Sequence, residues 1–201
     1  VEDTDTEVLL RGPLLWRVGD VVADASASEP WIGLPTTGLT LTGTVDIDSV
    51  RGVLVVENKD TFQKVCQIPE VVERWLCVWG KGYTSSGMIA LLSRFVNRPI
   101  AAWCDLDADG IQIVVDLARR LARPVSSVGM TVSLWETGPW RRQNAEQLRR
   151  GQQLAGVLAD TDSVDLRDLA AAITLNGEGR EQESMYEDFL PHLAKVLAGL
   201  S

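Results

Sequence analysis

Pro99-Ile100-Ala101-Ala102-Trp103-Cys104-Asp105-Leu106-Asp107-Ala108-Asp109-Gly110 is an apolar run that stops abruptly on three aspartates and a glycine. A short, uninterrupted apolar run of this kind suits a strand buried on both faces. Beyond it, Ile111, Val114, Val115, Ala118 and Leu121 recur at helical spacing, and Pro124 ends the pattern. Upstream, Gly52-Val53-Leu54-Val55-Val56 is a second such run, closed by Glu57-Asn58. Residues 60–66 after it have room for a helical turn or two. Trp75-Leu76-Cys77-Val78-Trp79 is a third, stopped by Gly80-Lys81-Gly82 and followed by a helical pattern over residues 85–95. Strands that alternate with helices at this pitch predict βαβ units and a parallel sheet with helices on both faces. Ligands of such sheets lie at the carboxyl ends of the strands, where Glu57 and the aspartates fall.

Outward from this centre the patterns change. Residues 1–50 read as a β-rich segment packed on the core. Within it, residues 39–47 alternate as a half-buried strand does, and Ala25 to Thr37 is expected to be irregular. Residues 51–201 are read as one α/β domain with C-terminal helices, the domain on which Glu57 and the aspartates fall. A further strand is expected within residues 128–135, then helices over 144–158, 164–173 and 181–197. The first residues are acidic, unlike a signal peptide, and the chain does not open on Met, so it is expected to be a piece of a longer protein.

Composition excludes several function classes. The residues are 45% hydrophobic and 23% charged, with 17 Gly and 8 Pro, a globular balance. No apolar run approaches the roughly 20 residues that span a bilayer, so no membrane association is expected. Three cysteines without a C-x-x-C pair argue against a disulfide framework or a thiolate zinc site, and fit a reducing, cytoplasmic setting. One histidine, His192, excludes H-E-x-x-H zinc chemistry within this chain. A net charge of −9 opposes indiscriminate nucleic-acid binding, because phosphate contacts need Lys and Arg. The chemistry must rest on carboxylates.

Three readings compete for the D-x-D-x-D-G segment. It matches the opening of an EF-hand calcium loop, with Asp116 at the twelfth position. Against that, the twelfth residue is Asp where Glu is usual, Gln112 occupies an apolar position, and the entering segment is strand-like. The aspartates could alternatively do no more than cap the following helix. In the third reading, Asp105 and Asp107 face Glu57 across the rim and hold Mg²⁺ or Mn²⁺, a hard cation bound by one or two carboxylates plus water and phosphate oxygens. Glu57 would complete the shell or move a proton.

The segments 53–58, 79–82 and 103–110 together resemble a toprim domain, the fold shared by topoisomerases, bacterial primases and several nucleases. The Glu57-Asn58 pair followed by Thr61-Phe62 is most similar to the topoisomerase-VI-A-like branch. Within that branch the chain resembles the C-terminal domain family of JetD (also called MksG or EptD), the nuclease subunit of Wadjet plasmid-defence systems. Gly179-Arg180-Glu181-Gln182-Glu183 is similar to an E-Q-E stretch near that family's C-terminus. The resemblance spans residues from about 50 to 185. It implies Glu57, Asp105 and Asp107 as metal ligands and catalytic acids, with Asp109 as a further ligand. It also implies DNA, in particular circular plasmid, as substrate and an SMC-type ATPase complex as partner. A homodimer is a further assembly to expect. Cys104 departs from the family, where a Gly commonly precedes the first Asp.

Lys81, between glycines after the second strand, is a candidate catalytic and phosphate-binding residue. Arg119, Arg120 and Arg123 are candidate DNA contacts, with Arg141, Arg142, Arg149 and Arg150 as the other concentration of positive charge. Trp135 and Trp140 are expected to pack, and His192 to lie at the surface. Of Glu181 and Glu183, two apart on an expected helix, at most one can approach the metal site. The expected activity is divalent-metal-dependent hydrolysis of DNA. The alternatives are a non-catalytic toprim scaffold that docks an SMC partner, and the toprim part of a type II topoisomerase-like enzyme. The latter needs a nucleophilic Tyr on a winged helix; Tyr83 and Tyr186 have no such setting.

Overall fold

In the computed structural model, which describes residues 7–35, 43–81 and 84–200, the three apolar runs are adjacent strands of one sheet. The strands are β1 (Glu7–Arg11), β2 (Leu15–Val18), β3 (Val21–Asp24), β4 (Ile32–Pro35), β5 (Thr44–Asp46), β6 (Gly52–Val56), β7 (Trp75–Trp79), β8 (Ile100–Trp103) and β9 (Ser126–Ser127). The helices are α1 (Lys59–Val65), α2 (Pro69–Val72), α3 (Ser86–Leu92), α4 (Ala108–Leu121), α5 (Val132–Thr137), α6 (Ala145–Leu158), α7 (Val164–Asn176) and α8 (Tyr186–Ala198). The larger sheet has the order β4-β1-β7-β6-β8-β9, with β7, β6, β8 and β9 parallel and β1 running against its neighbours. A smaller antiparallel sheet, β3-β2-β5, is built from the N-terminal residues. The architecture is α/β, in agreement with a toprim-like sheet.

Every residue of β6 and β8 is buried, so both faces of the sheet centre are covered and the absence of polar alternation in these strands has its physical cause. The helices start where their caps predict. Asn58 accepts hydrogen bonds from the Asp60 and Thr61 amides, Ser85 from that of Met88, and Asn144 forms a reciprocal capping box with Gln147.

Four expectations need correction or limitation. Residues 128–135 hold no strand. Gly129 takes a left-handed conformation (φ 65°) and Thr131 caps α5, so only Ser126–Ser127 pair with β8. Ile32–Pro35, expected to be irregular, form an edge strand on β1, where a proline at the strand end is tolerated. The last helical segment begins at Gln182, close to the expected start, as a 3₁₀ turn to Met185, and becomes the α-helix α8 only at Tyr186. Arg180 before it exchanges two backbone hydrogen bonds with Leu106 (2.9 and 3.0 Å) and stays extended. Of the alternating segment 39–47, residues 44–46 are strand and 39–42 lie outside the described residues. Among the described residues, no helix is long and apolar enough to cross a membrane.

Candidate active site

The sheet order sends the chain from β6 toward β7 on one side and from β8 toward β9 on the other. Connections that diverge in this way open a crevice between the carboxyl ends of the two central strands. Glu57 follows β6 directly and Asp105 stands two residues beyond β8, so topology delivers both to that crevice. The Glu57 amide donates to the Trp103 carbonyl (3.1 Å), and Glu57 Oε2 accepts from the Asp105 amide (2.9 Å). Asp105 Oδ1 in turn accepts from the Gln182 amide (2.8 Å). Each carboxylate thus spends one oxygen on the fold. Among the described residues, Glu57 Oε1 and Asp105 Oδ2 have no hydrogen-bond or ion-pair partner.

The other two aspartates are placed differently. Asp107 is the N-cap of α4, its Oδ1 accepting from the Gly110 amide at 2.8 Å, so the simple capping role holds for this residue. Its Oδ2 lies 3.8 Å from Arg141, which also reaches Glu181 at 3.5 Å. Asp109 forms a bidentate pair with Arg150 (2.9 and 2.5 Å). The calcium-loop reading fails here, because residues 108–121 are helix and cannot wrap an ion. Asp116 lies within that helix, bonded to Thr84 and Arg119.

Burial pushes the Glu57 carboxyl up to about 7, and the nearby charges of Asp107, Asp109 and Glu183 add to this against the Asp105 hydrogen bond. Burial also pushes Asp105 up to about 8, reinforced by Glu57 and opposed by the bond from Gln182. Asp107 is raised too, again chiefly by burial. A carboxyl whose folded pKa exceeds its unfolded value stabilises the fold below the unfolded pKa, near 4, and that contribution is lost as pH rises toward 7–8. Glu57→Gln, which retains an acceptor for the Asp105 amide, is therefore expected to gain in Tm over the metal-free wild type between about pH 5 and pH 8. A thermal melt series across that range checks this; a constant difference would contradict it.

The crevice is a cleft of about 740 Å³. Glu57, Asp105 and Asp109 line it together with Lys59, Lys81 and Arg150. Lys59 was not legible in the sequence. It is exposed in the first turn of α1, 5.4 Å above the Trp79 ring, and the Trp79 Nε1 donates to the Glu57 carbonyl. Trp79 thereby ties a cation to the carboxylate edge. Lys81 is in the left-handed region at φ 60°. Arg119, Arg120 and Arg123 lie at the other end of α4, roughly 20 Å along a helix rising 1.5 Å per residue. None lines the cleft, and Arg123 binds the Phe95 and Val96 carbonyls at 2.7 Å.

The remaining candidates divide clearly. Of the E-Q-E pair, Glu183 approaches the carboxylates, accepting from Asn58 Nδ2 at 2.5 Å, while Glu181 turns to Arg141. Tyr186 bonds Thr61 through its hydroxyl (3.1 Å), and burial raises its pKa, so it is not an activated nucleophile. Tyr83 lies outside the described residues. The three cysteines are buried and free, and burial raises the Cys104 thiol well above its usual range. Trp135 packs as expected, under the Arg180 guanidinium, whereas Trp140 is 61% exposed.

Among the described residues, no group of three or more His, Cys, Asp or Glu side chains is arranged to hold a metal by itself. The Glu57–Asp105 pair, all oxygen and partly buried, nevertheless fits a hard cation that takes its remaining ligands from water and phosphate.

A search of curated proteins finds no match to the chain. The family described as Wadjet protein JetD, C-terminal, matches residues 18–192. The chain therefore belongs to the C-terminal family of the Wadjet protein JetD, a component of Wadjet anti-plasmid systems.

Proposed function

We propose that this chain is a Mg²⁺- or Mn²⁺-dependent DNA endonuclease domain, which cuts circular plasmid delivered by an SMC-type ATPase complex. The observation that supports it most directly is the Glu57–Asp105 pair at a topological switch point: Glu57 Oε2 accepts from the Asp105 backbone amide at 2.9 Å, and each partly buried carboxylate keeps one free oxygen. Family membership supports the plasmid target and the partner complex.

Glu57 and Asp105 would hold the cation, with Asp107 joining when its second oxygen leaves Arg141. Such a cation supplies Lewis acidity, polarising the scissile phosphate and acidifying water. Glu57 Oε1 stands free to exchange a proton at the reacting centre as general acid or base. Lys59 and Lys81 face the same cleft and bind the phosphates flanking the cut. Water is the nucleophile in this reading, since Tyr186 is not activated.

The test is a Mn²⁺ soak located by anomalous scattering, paired with cleavage of supercoiled plasmid by the intact protein and its complex. Manganese on Glu57 and Asp105, with cleavage lost in Glu57→Gln, is the expected result. Cleavage unaffected by Glu57→Gln would overturn the assignment, and a site without manganese would favour a scaffold.

Lys59→Ala is expected to weaken duplex binding across sequences alike and to lower the slope of log K against log salt by about 1, as one lost phosphate contact does. Fluorescence anisotropy on a labelled duplex at several salt concentrations measures both.

A further inference from the structure

Gln182 is a fully buried polar residue, at 0% exposure, more than 70 positions from the strands it touches. Its Nε2 donates to the Trp103 carbonyl at 2.9 Å, and its Oε1 accepts from the Asn58 amide at 3.1 Å. The orientation of the amide follows from chemistry, because a carbonyl can only accept and a backbone N–H can only donate. Its own backbone N–H donates to Asp105 Oδ1 at 2.8 Å. One residue therefore grips the end of β8, the turn after β6 and a candidate ligand. On either side, Arg180 pairs with Leu106, and Glu183 accepts from the Asn58 side chain. The segment 180–183 thus bridges the residues that follow β6 and those that follow β8.

Buried amides need partners, and an apolar side chain of equal volume would leave the Asn58 amide without one. A glutamate would be no substitute. Ionised, it cannot donate to Trp103, and it adds negative charge beside Glu57, Asp105 and Glu183.

We propose that Gln182 is a positioning residue: it sets the spacing between the ends of β6 and β8, and so the Glu57–Asp105 geometry that holds the cation. This rests on the reading of that pair as the metal-holding group. Groups that orient ligands from behind typically contribute 10–100-fold to metal affinity.

Mn²⁺ titration followed by electron paramagnetic resonance, on wild type, Gln182→Met and Gln182→Glu, tests it. Hydrogen exchange of the metal-free proteins and thermal melts accompany the titration. In Gln182→Met, Mn²⁺ affinity is expected to fall 10- to 100-fold, with faster exchange confined to the Glu57–Asn58 and Trp103–Asp105 segments. Wild-type affinity in a folded Gln182→Met would overturn the proposal. Where Gln182→Met fails to fold, Gln182→Glu decides, since it keeps the shape. Weaker Mn²⁺ binding despite the added negative charge supports positioning, whereas equal or tighter binding overturns it. A wild type that binds no Mn²⁺ would overturn the underlying pair assignment and this inference with it. Loss in the variants alone separates the two.

Discussion

Asp105→Asn is expected to lose metal-dependent plasmid cleavage by on the order of 10²–10⁴-fold and, at the same time, to melt at a higher temperature than the metal-free wild type at pH 8. The two effects share one cause. Burial, with the charge of Glu57 beside it, pushes the Asp105 carboxyl up to about 8, so near that pH the wild type begins to carry a buried, uncompensated negative charge. Asparagine retains an acceptor for the Gln182 amide and removes the charge. The sign follows from linkage: the wild type is most stable below the unfolded pKa, near 4, and loses stability up to the folded value. The Tm difference should vanish near pH 4 and reach several degrees at pH 8, at about 2–4 °C per kcal/mol in a chain of this size. Saturating Mg²⁺ should raise the wild-type Tm and leave the variant unmoved, since only a binder of the native state stabilises it. Calorimetry with and without Mg²⁺ at both pH values measures all four conditions. A variant that melts below the metal-free wild type at pH 8 would contradict the account.

Gly110→Ala should impair the same site by a steric route. Gly110 lies in the first turn of α4, where alanine is ordinarily preferred over glycine by about 1 kcal/mol. Here an added Cβ would drive into the Asp105 carbonyl oxygen and lie only 3.0 Å from its carbonyl carbon. These are backbone atoms and cannot swing aside, so Asp105 must shift, opening its bond to Glu57 Oε2. Overpacking of this kind costs about 1–3 kcal/mol, which in this chain lowers Tm by several degrees. Mn²⁺ binding should be lost together with stability. Gly156→Ala is the control. That glycine lies in α6 with Thr174 at 4.0 Å as its nearest neighbour, and the substitution should stabilise by about 0.5–1 kcal/mol. If both substitutions stabilise, the close approach at Gly110 is not what the motif needs.

The glycine that closes D-x-D-x-D-G thus answers to a contact, which explains why a motif can be legible before its reason is. Glu57 and Asp105 were legible because acids that end buried apolar runs must emerge at the strand ends. Asp107 and Asp109 could not be told apart from Asp105 by spacing. Their different partners, an N-cap amide and Arg150, come from the helix direction and from α6. Lys59 was missed because an exposed lysine in a first turn carries no pattern; only the Trp79 ring beneath it and the cleft beside it give it a role. The strand expected over 128–135 failed on a left-handed glycine and a threonine cap, local features that outweigh β-branched composition.

Read in isolation, residues 52–58 and 99–121 already specify an α/β chain with carboxylates at its strand ends, because hydrophobic period and helix capping are local properties of the backbone. What lay beyond local reading was pairing. That β6 and β8 are neighbours, that the chain diverges between them, and that Gln182 closes the gap all depend on contacts between segments far apart in sequence. Burial raises the pKa of Glu57 and Asp105 only once those contacts have formed. The acids are written in the chain; the crevice and its charge are products of packing.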